Sequence, residues 1–376
     1  RGARAGQGRH ATVQNGRQQN SAGTMPEDHS TVLLLYSQVP WWGVWQRPQE
    51  QAMGLAEKRR ILYVGPVQSH EPRIRYPRWQ RLTRIDKGKG IVVFSPLILP
   101  GNYKWRSIFS INRLILLAEL RWFLRNEPSV AFLTNSPFVD YLPAKLGFSR
   151  VIYDVIDDFI SFEWAPQGSQ EMEQRLFLKA DVVITGTNTL KEDKGRLFKG
   201  AEFIPCGVAF EKFYLPADRK APDPPSDIRD LPRPLIGYTG TLSDRIDGSI
   251  LSGIARACPN GSLCLVGPVH RTLEDMADAP NIHYLGLKKH EELPAYLHHF
   301  KVALLPFKLT KAALAINPVK TLEYLAAGCL VVSTAIPDVV RFYSDAVVIA
   351  DSPGDYIEKT LELLEGDHKE RILRGI

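Results

Sequence analysis

Within Asn317-Pro-Val-Lys-Thr-Leu-Glu-Tyr-Leu-Ala-Ala-Gly328, a lysine and a glutamate stand three residues apart, Lys320 and Glu323. On a helix that spacing puts two side chains on one side. Asn317 reads as an N-cap, Pro318 as the first helical residue and Gly328 as a left-handed end, so a helix of about ten residues is expected. Leu322, Leu325 and Ala326 make its apolar face. The helix dipole opposes a cation in the first turn by roughly 0.3–1 kcal/mol. Lys320 therefore makes sense where an anion such as a diphosphate sits at the helix N-terminus. Glu323, one turn deeper, can accept two hydrogen bonds from a ribose diol. The plain alternative is a surface ion pair, worth about 0.3–0.5 kcal/mol.

A second constellation is Gly237-Tyr-Thr-Gly-Thr-Leu-Ser-Asp-Arg245, a strand running into a glycine-containing loop and then a helix. Gly240 lets backbone N–H groups of the loop, Thr241 included, approach a phosphate, and Arg245 adds a charge or stays a solvated loop residue. The phrase is not GxGxxG, which counts against a dinucleotide enzyme. Near the start, Gln38-Val-Pro-Trp-Trp-Gly-Val-Trp-Gln-Arg-Pro48 joins the first strand to the first helix. Trp42 and Trp45 suit stacking on sugar faces, and Gly43 allows close backbone approach. One of the loop's three tryptophans is expected to pack on the helix below. Arg47 reaches a phosphate or caps local structure. Asp154, Asp157 and Asp158 cluster at the end of another strand; Asp157 is the candidate for proton abstraction and Asp158 for holding an acceptor hydroxyl. At least one of the three is expected to cap a helix. His283, His298 and His299 read as ordinary, and no residues have metal-ligand spacing, so neither a metal nor a cofactor is expected.

These residues must be positioned by a scaffold, and the rest of the chain supplies one. Short, nearly continuous apolar runs at residues 31–37, 61–67, 91–97, 130–134, 151–157, 181–187 and 202–208 alternate with helical patterns, as do runs at 234–240, 262–268, 282–287, 302–307, 330–334 and 346–350. Strands apolar on both sides are covered by helices on both faces, which implies doubly wound parallel sheets. Ligands of such sheets bind at the carboxyl ends of the strands. The expected organisation is a disordered segment at 1–29, a Rossmann-like domain at 30–213, a Pro- and Asp-rich linker at 214–233 and a second such domain at 234–376. Met25 reads as a natural start, and the last residues stop inside a helical pattern, so a fragment is expected. The 376 residues are enough for two cores, and the net charge of +6 is a moderate basic excess. No apolar run reaches the roughly 18 residues of a spanning helix. Cys206, Cys258, Cys264 and Cys329 form no CxxC pair and read as reduced, which points to the cytoplasm. Residues 104–125 form a basic amphipathic segment: Arg106, Arg113, Arg121 and Arg125 stand beside Trp105, Trp122 and Phe123. It suits an anionic membrane surface, against the plainer reading of a core-packing helix with a solvated basic edge.

The phrases IPCGVAFEKF (204–213), PLIGYTGTL, NIHYLGLKKHEELPAYLHHFKVALLPF (281–307) and INPVKTLEYLAAGCLVVST (316–334) resemble the donor domain of family-four retaining glycosyltransferases of the GT-B fold. With VWQRPQ (44–49), the likeness is to bacterial enzymes of the teichuronic-acid and exopolysaccharide type. The resemblance implies two Rossmann-like domains facing a cleft, a nucleotide-sugar donor (a UDP-sugar foremost), retention of anomeric configuration and a glycan or lipid-linked glycan acceptor. It places donor-ribose binding on Glu323, the second glutamate of the family's paired motif, whose first glutamate falls at Ala315. The family's phosphate-binding Arg falls at Thr241 and its Lys near Ile246, so Arg245 and Lys320 are the expected substitutes. Cys206 stands where the family usually has Asn. The rival readings are a non-catalytic nucleotide-sugar- or glycan-binding subunit and a nucleotide-sugar epimerase on the same fold. A nucleic-acid partner is not expected, because the positive charge is dispersed.

Overall fold

The computed structural model describes residues 31–42, 45–65, 82–85, 90–198, 200–216, 219–269, 275–276, 278–366 and 368–375. The expectations for residues 1–29 and for Gly43 lie outside the described residues. Eight strands come first: β1 (Thr31–Tyr36), β2 (Arg60–Val64), β3 (Leu82–Ile85), β4 (Ile91–Phe94), β5 (Ser129–Thr134), β6 (Arg150–Val155), β7 (Val182–Thr185) and β8 (Glu202–Phe203). They form one sheet in the order β3-β4-β2-β1-β5-β6-β7-β8. Every pairing in it is parallel except that of β3, which runs antiparallel to β4 at the edge. Its helices are α1 (Arg47–Leu55), α2 (Arg106–Leu124), α3 (Leu142–Lys145), α4 (Ser169–Phe177), α5 (Asn188–Lys194) and α6 (Phe210–Phe213).

The second sheet holds β9 (Leu235–Thr239), β10 (Ser262–Val266), β11 (Ile282–Gly286), β12 (Val302–Leu305), β13 (Leu330–Thr334) and β14 (Val347–Ala350), in the parallel order β11-β10-β9-β12-β13-β14. Around it lie α7 (Gly248–Ala257), α8 (Leu293–Leu297), α9 (Lys311–Leu314), α10 (Val319–Ala326), α11 (Pro337–Tyr343), α12 (Pro353–Glu365) and α13 (Lys369–Gly375). The reason for two layers of helix is in the strands themselves. Every residue of β1, β9, β10 and β13 is buried, so at these central strands neither face of the sheet meets water. The result is the expected doubly wound α/β architecture, twice over.

Packing adds detail to one local expectation and corrects another. Within the Pro- and Asp-rich stretch 214–233, Ile228 is fully buried with Phe213 in the second core and Leu231 packs against them. Asp227 anchors the same stretch by accepting from Lys288 Nζ at 2.6 Å and from Tyr296 Oη at 3.0 Å. The helix bearing Lys320 starts at Val319 with Pro318 in the cap position and no side-chain cap bond, so Asn317 lies one residue outside. Its far end behaves as expected, with Gly328 at φ 75° beyond the last turn.

Candidate active site

Glu323 is the most constrained side chain of the site. It lies on α10 with 3% of its side chain exposed, yet it carries a charge-bearing carboxylate. Lys320 Nζ donates to one oxygen at 3.0 Å, and His290 Nε2 lies 3.2 Å from the other. Burial alone would raise this carboxyl, but the Lys320 charge and the contacts from His290 and Lys320 outweigh it and hold the group below its ordinary range. The pair is therefore not the surface contact that spacing alone allows. The neighbouring Tyr324 fixes where α10 sits: its hydroxyl meets the Thr239 N–H at 2.8 Å and the Thr239 hydroxyl at 3.2 Å. This ties the carboxyl end of β9 to the helix and holds the Gly240 turn beside α10. At the start of the helix, Asn317 Nδ2 and Thr321 Oγ1 are buried without a hydrogen-bond partner.

The Gly240 turn is shaped by close backbone approach rather than by free donors. Gly240 has φ 146°, and its N–H already donates to the Val266 carbonyl at 2.8 Å. Gly267 on the adjoining loop lies so near that an added Cβ would meet the Gly240 carbonyl oxygen at 2.0 Å. The Thr241 carbonyl accepts from Tyr238 Oη at 3.0 Å. Arg245 is half-buried, stacked over the Phe162 ring with its Cζ 4.5 Å from the centroid, and its Nη2 faces Asp157 Oδ2 at 3.4 Å. Phe162 and Asp157 belong to the other sheet's side, so Arg245 spans the two domains. Burial pushes the Asp157 carboxyl up, and Arg245 only partly opposes it.

On the opposite wall the tryptophan loop divides its labour. Trp41 is core, meeting Tyr63 and Trp45 edge-on with centroids 5.0 and 5.6 Å away. Trp45 is half-buried with Nε1 donating to Glu50 at 2.6 Å, while Trp42 is 52% exposed. Arg47 is locked rather than free: it grips the fully buried Asp154 through Nε at 2.9 Å and Nη2 at 3.0 Å, and donates to the Ile204 carbonyl at 2.6 Å. Asp158 is taken up as well, accepting from the buried Lys194 Nζ at 3.0 Å. Lys194 also donates to Glu173 at 2.8 Å, and Glu173 accepts from Tyr153 Oη at 2.8 Å. That closed network leaves Asp157 as the carboxylate of the three aspartates that faces across the cleft.

A cavity of about 290 Å³ lies between the walls, lined by Trp45, Gln46, Arg47, Glu50 and Gln51, by residues 204–209 including Cys206, and by His290, Val319 and Glu323. Gly240, Thr241, Arg245, Asn317 and Lys320 are not part of that lining. The sequence reading missed His290, which stands 33 residues from Glu323 and carries no local signal, and Lys194, whose partners Asp158 and Glu173 lie 36 and 21 residues away. Among the described residues no cluster of His, Cys, Asp and Glu could hold a metal ion, and the four cysteines are free.

Contacts across the domains come from loops at carboxyl ends of strands and from the starts of the helices that follow them, with the Arg341–Glu192 pair and the Phe203–Phe342 stack beside them. Besides Arg245 and Asp157, Thr187 Oγ1 donates to the Ala315 carbonyl at 3.2 Å, and Asp338 accepts from the Asn188 and Thr189 N–H groups at 2.7 and 3.1 Å. The two carboxyl edges therefore face each other, as in the GT-B fold. Residues 233–366 match the family profile of glycosyl transferases group 1. The C-terminal domain is a group 1 glycosyltransferase domain. The chain is also similar to TuaH of Bacillus subtilis (strain 168), described as a candidate teichuronic acid biosynthesis glycosyltransferase, with 25% identity over 281 residues, 69% of this chain and 70% of that protein. Among solved structures, sucrose-phosphate synthase from Thermosynechococcus elongatus superposes with a TM-score of 0.64 at 16% identity, covering 92% of this chain and 94% of its own. Anabaena HepE in complex with UDP and glucose superposes with a TM-score of 0.61 at 12% identity, covering 91% of both chains. In the group 1 domain, Glu323, Lys320 and the Gly240 turn lie at its carboxyl edge. Ala315, where the resemblance expects a further glutamate, is buried and packs with the core of the first domain.

Proposed function

We propose that the chain transfers a sugar from a UDP-sugar to a hydroxyl of a glycan or lipid-linked glycan in bacterial surface-polysaccharide synthesis, with retention of anomeric configuration. The observation that carries the reading is Glu323: a buried carboxylate held ionised by Lys320 and His290, facing a cavity between the domains of a GT-B fold. An ionised acceptor at that position suits a ribose diol, whose two hydroxyls each donate one hydrogen bond. HepE, of the same fold, is solved with UDP and glucose. TuaH supports a place in polysaccharide synthesis.

In the reaction the bond between the anomeric carbon and the diphosphate oxygen breaks, and its electron pair leaves with the diphosphate. Arg245 and Lys320 supply positive charge for that leaving group, with more effect in the transition state than in the ground state. For Arg245 this means exchanging Asp157, which it meets at 3.4 Å, for phosphate, one anionic partner for another. The exchange frees Asp157 to accept the acceptor's hydroxyl proton. Trp42 and Trp45 offer the acceptor its apolar sugar-stacking surface. Asp154, Arg47, Asp158 and Lys194 hold the wall in shape.

The test is release of nucleoside diphosphate from UDP-, GDP- and ADP-linked sugars, each with free glycan and lipid-linked acceptors. Acceptor-dependent release of UDP is the expected result. Absence of release from every donor, despite UDP binding, favours a non-catalytic binding subunit and overturns the transfer reading.

A further inference from the structure

The helix α2 has two apolar faces, and only one of them is used by the fold. Phe109, Asn112, Leu116, Leu117 and Leu120 are buried, the three leucines in the first sheet's core and Phe109 against Phe138, Phe159 and Met172. On the other side, Ile111, Leu114 and Trp122 are exposed, at 44%, 67% and 61%. At 100° per residue these three, with Ser107, Ala118, Arg121 and Arg125, fall within an arc of about 100°. The loop entering the helix runs beside it, since the Leu97 and Leu99 N–H groups donate to Glu119 and Asn112. Leu97, Leu99 and Trp105 ahead of the helix are exposed as well, so six of the eighteen large apolar side chains exposed among the described residues lie in this one segment. Contiguous apolar exposure of this kind marks an interaction site.

Charge says what covers it. Lys104, Arg106, Arg121 and Arg125 are exposed, and no carboxylate is exposed anywhere from 104 to 126. The cations stand beside the tryptophans at the two ends: Lys104 Nζ lies 5.3 Å from the Trp105 ring, and Arg125 Cζ lies 4.4 Å from that of Trp122. Nineteen helical residues separate these ends by about 28 Å. Tryptophan rings with cations at both ends and leucine or isoleucine between them suit a helix lying flat at the headgroup level of a bilayer. A second copy fits poorly, because a two-fold contact would set four cations against four with no acid to answer them. We propose that this face of α2 docks the protein on an anionic lipid bilayer. The inference stands apart from the sugar chemistry, since it needs neither Glu323 nor the cleft.

The test is co-sedimentation of the full chain with vesicles of phosphatidylcholine mixed with phosphatidylglycerol, against phosphatidylcholine alone, at low and raised salt. The expected result is binding to the anionic vesicles only, weakened by salt. Replacing Arg121→Ser with Arg125→Ser should lower affinity by roughly fivefold per cation. Replacing Leu114→Ser with Trp122→Ser should lower it by more than about tenfold. All four residues are exposed, and circular dichroism with UDP titration of each variant checks that fold and cleft are intact. Equal binding to neutral vesicles, no binding to either, or unchanged binding by both double variants overturns the proposal. So does a concentration-dependent dimer in sedimentation that Leu114→Ser abolishes, which would give the face to a second copy.

Discussion

At Glu323 the cost of burying a carboxylate is offset by Lys320 and His290, and the group is thereby kept ionised where a ligand can reach it. Glu323→Gln keeps the shape and loses the charge. Hydrogen bonds to a charged group contribute about 1.5–3 kcal/mol, so UDP affinity is expected to fall by about 10- to 100-fold, as read by calorimetry. Asp157 makes the opposite case, because burial raises its carboxyl and Arg245 only partly compensates. A base must be ionised, so the transfer rate is expected to fall on acidification through a pH above the ordinary carboxylate range. For stability the sign reverses: a carboxyl whose folded pKa is raised stabilises below its unfolded pKa and loses that contribution as pH rises through the folded value. Asp157→Asn is therefore expected to leave the unfolding temperature unchanged or higher at neutral pH while abolishing the acid limb of the rate profile. A drop in stability at neutral pH would make Asp157 a structural residue. Lys320 and Glu323 were legible as a pair from spacing; His290 was not, because its contact is made by folding and not by sequence proximity.

At the scale of elements, α10 owes its position to Tyr324, whose hydroxyl is shared with the Thr239 backbone and side chain. Tyr324→Phe is expected to cost about 1 kcal/mol of stability in denaturant titration and to weaken UDP binding without any change in Glu323 itself. The tight approach of two loops gives a second expectation. Gly267→Ala would drive a methyl into the Gly240 carbonyl at 2.0 Å, so the variant is expected to unfold at markedly lower denaturant than the parent. Thirteen of the fourteen strands were legible as apolar runs, because a strand covered on both faces has little choice of composition. The exception, Leu-Thr-Arg-Ile at β3, is a short antiparallel edge whose residues alternate too little to stand out. The start of α10 was misplaced by one residue because Asn317 has the right chemistry for a cap, yet Pro318 occupies that position.

At the scale of the whole molecule, two domains meet through carboxyl-edge loops, and Asp338 is the strongest of those links. It is 1% exposed and accepts from two N–H groups and the hydroxyl at the start of α5, capping a helix of one domain from the other. Asp338→Ala removes a cap worth about 0.5–2 kcal/mol. It is expected to lower the unfolding temperature and to broaden the distribution of domain separations seen by small-angle scattering. An unchanged scattering profile would assign domain apposition to Arg245, Thr187 and the Phe203–Phe342 stack instead. The sequence resolved the two-domain plan but not this link, since nothing local marks an aspartate that caps a helix 149 residues away. The central claim, that the cavity beside α10 holds a nucleoside diphosphate through Glu323, is tested most directly by calorimetric titration with UDP of the parent and Glu323→Gln. Saturable binding by the parent, weakened by about 10- to 100-fold in the variant, is the predicted result. Binding of equal affinity in both proteins, or no binding in the parent, would contradict it.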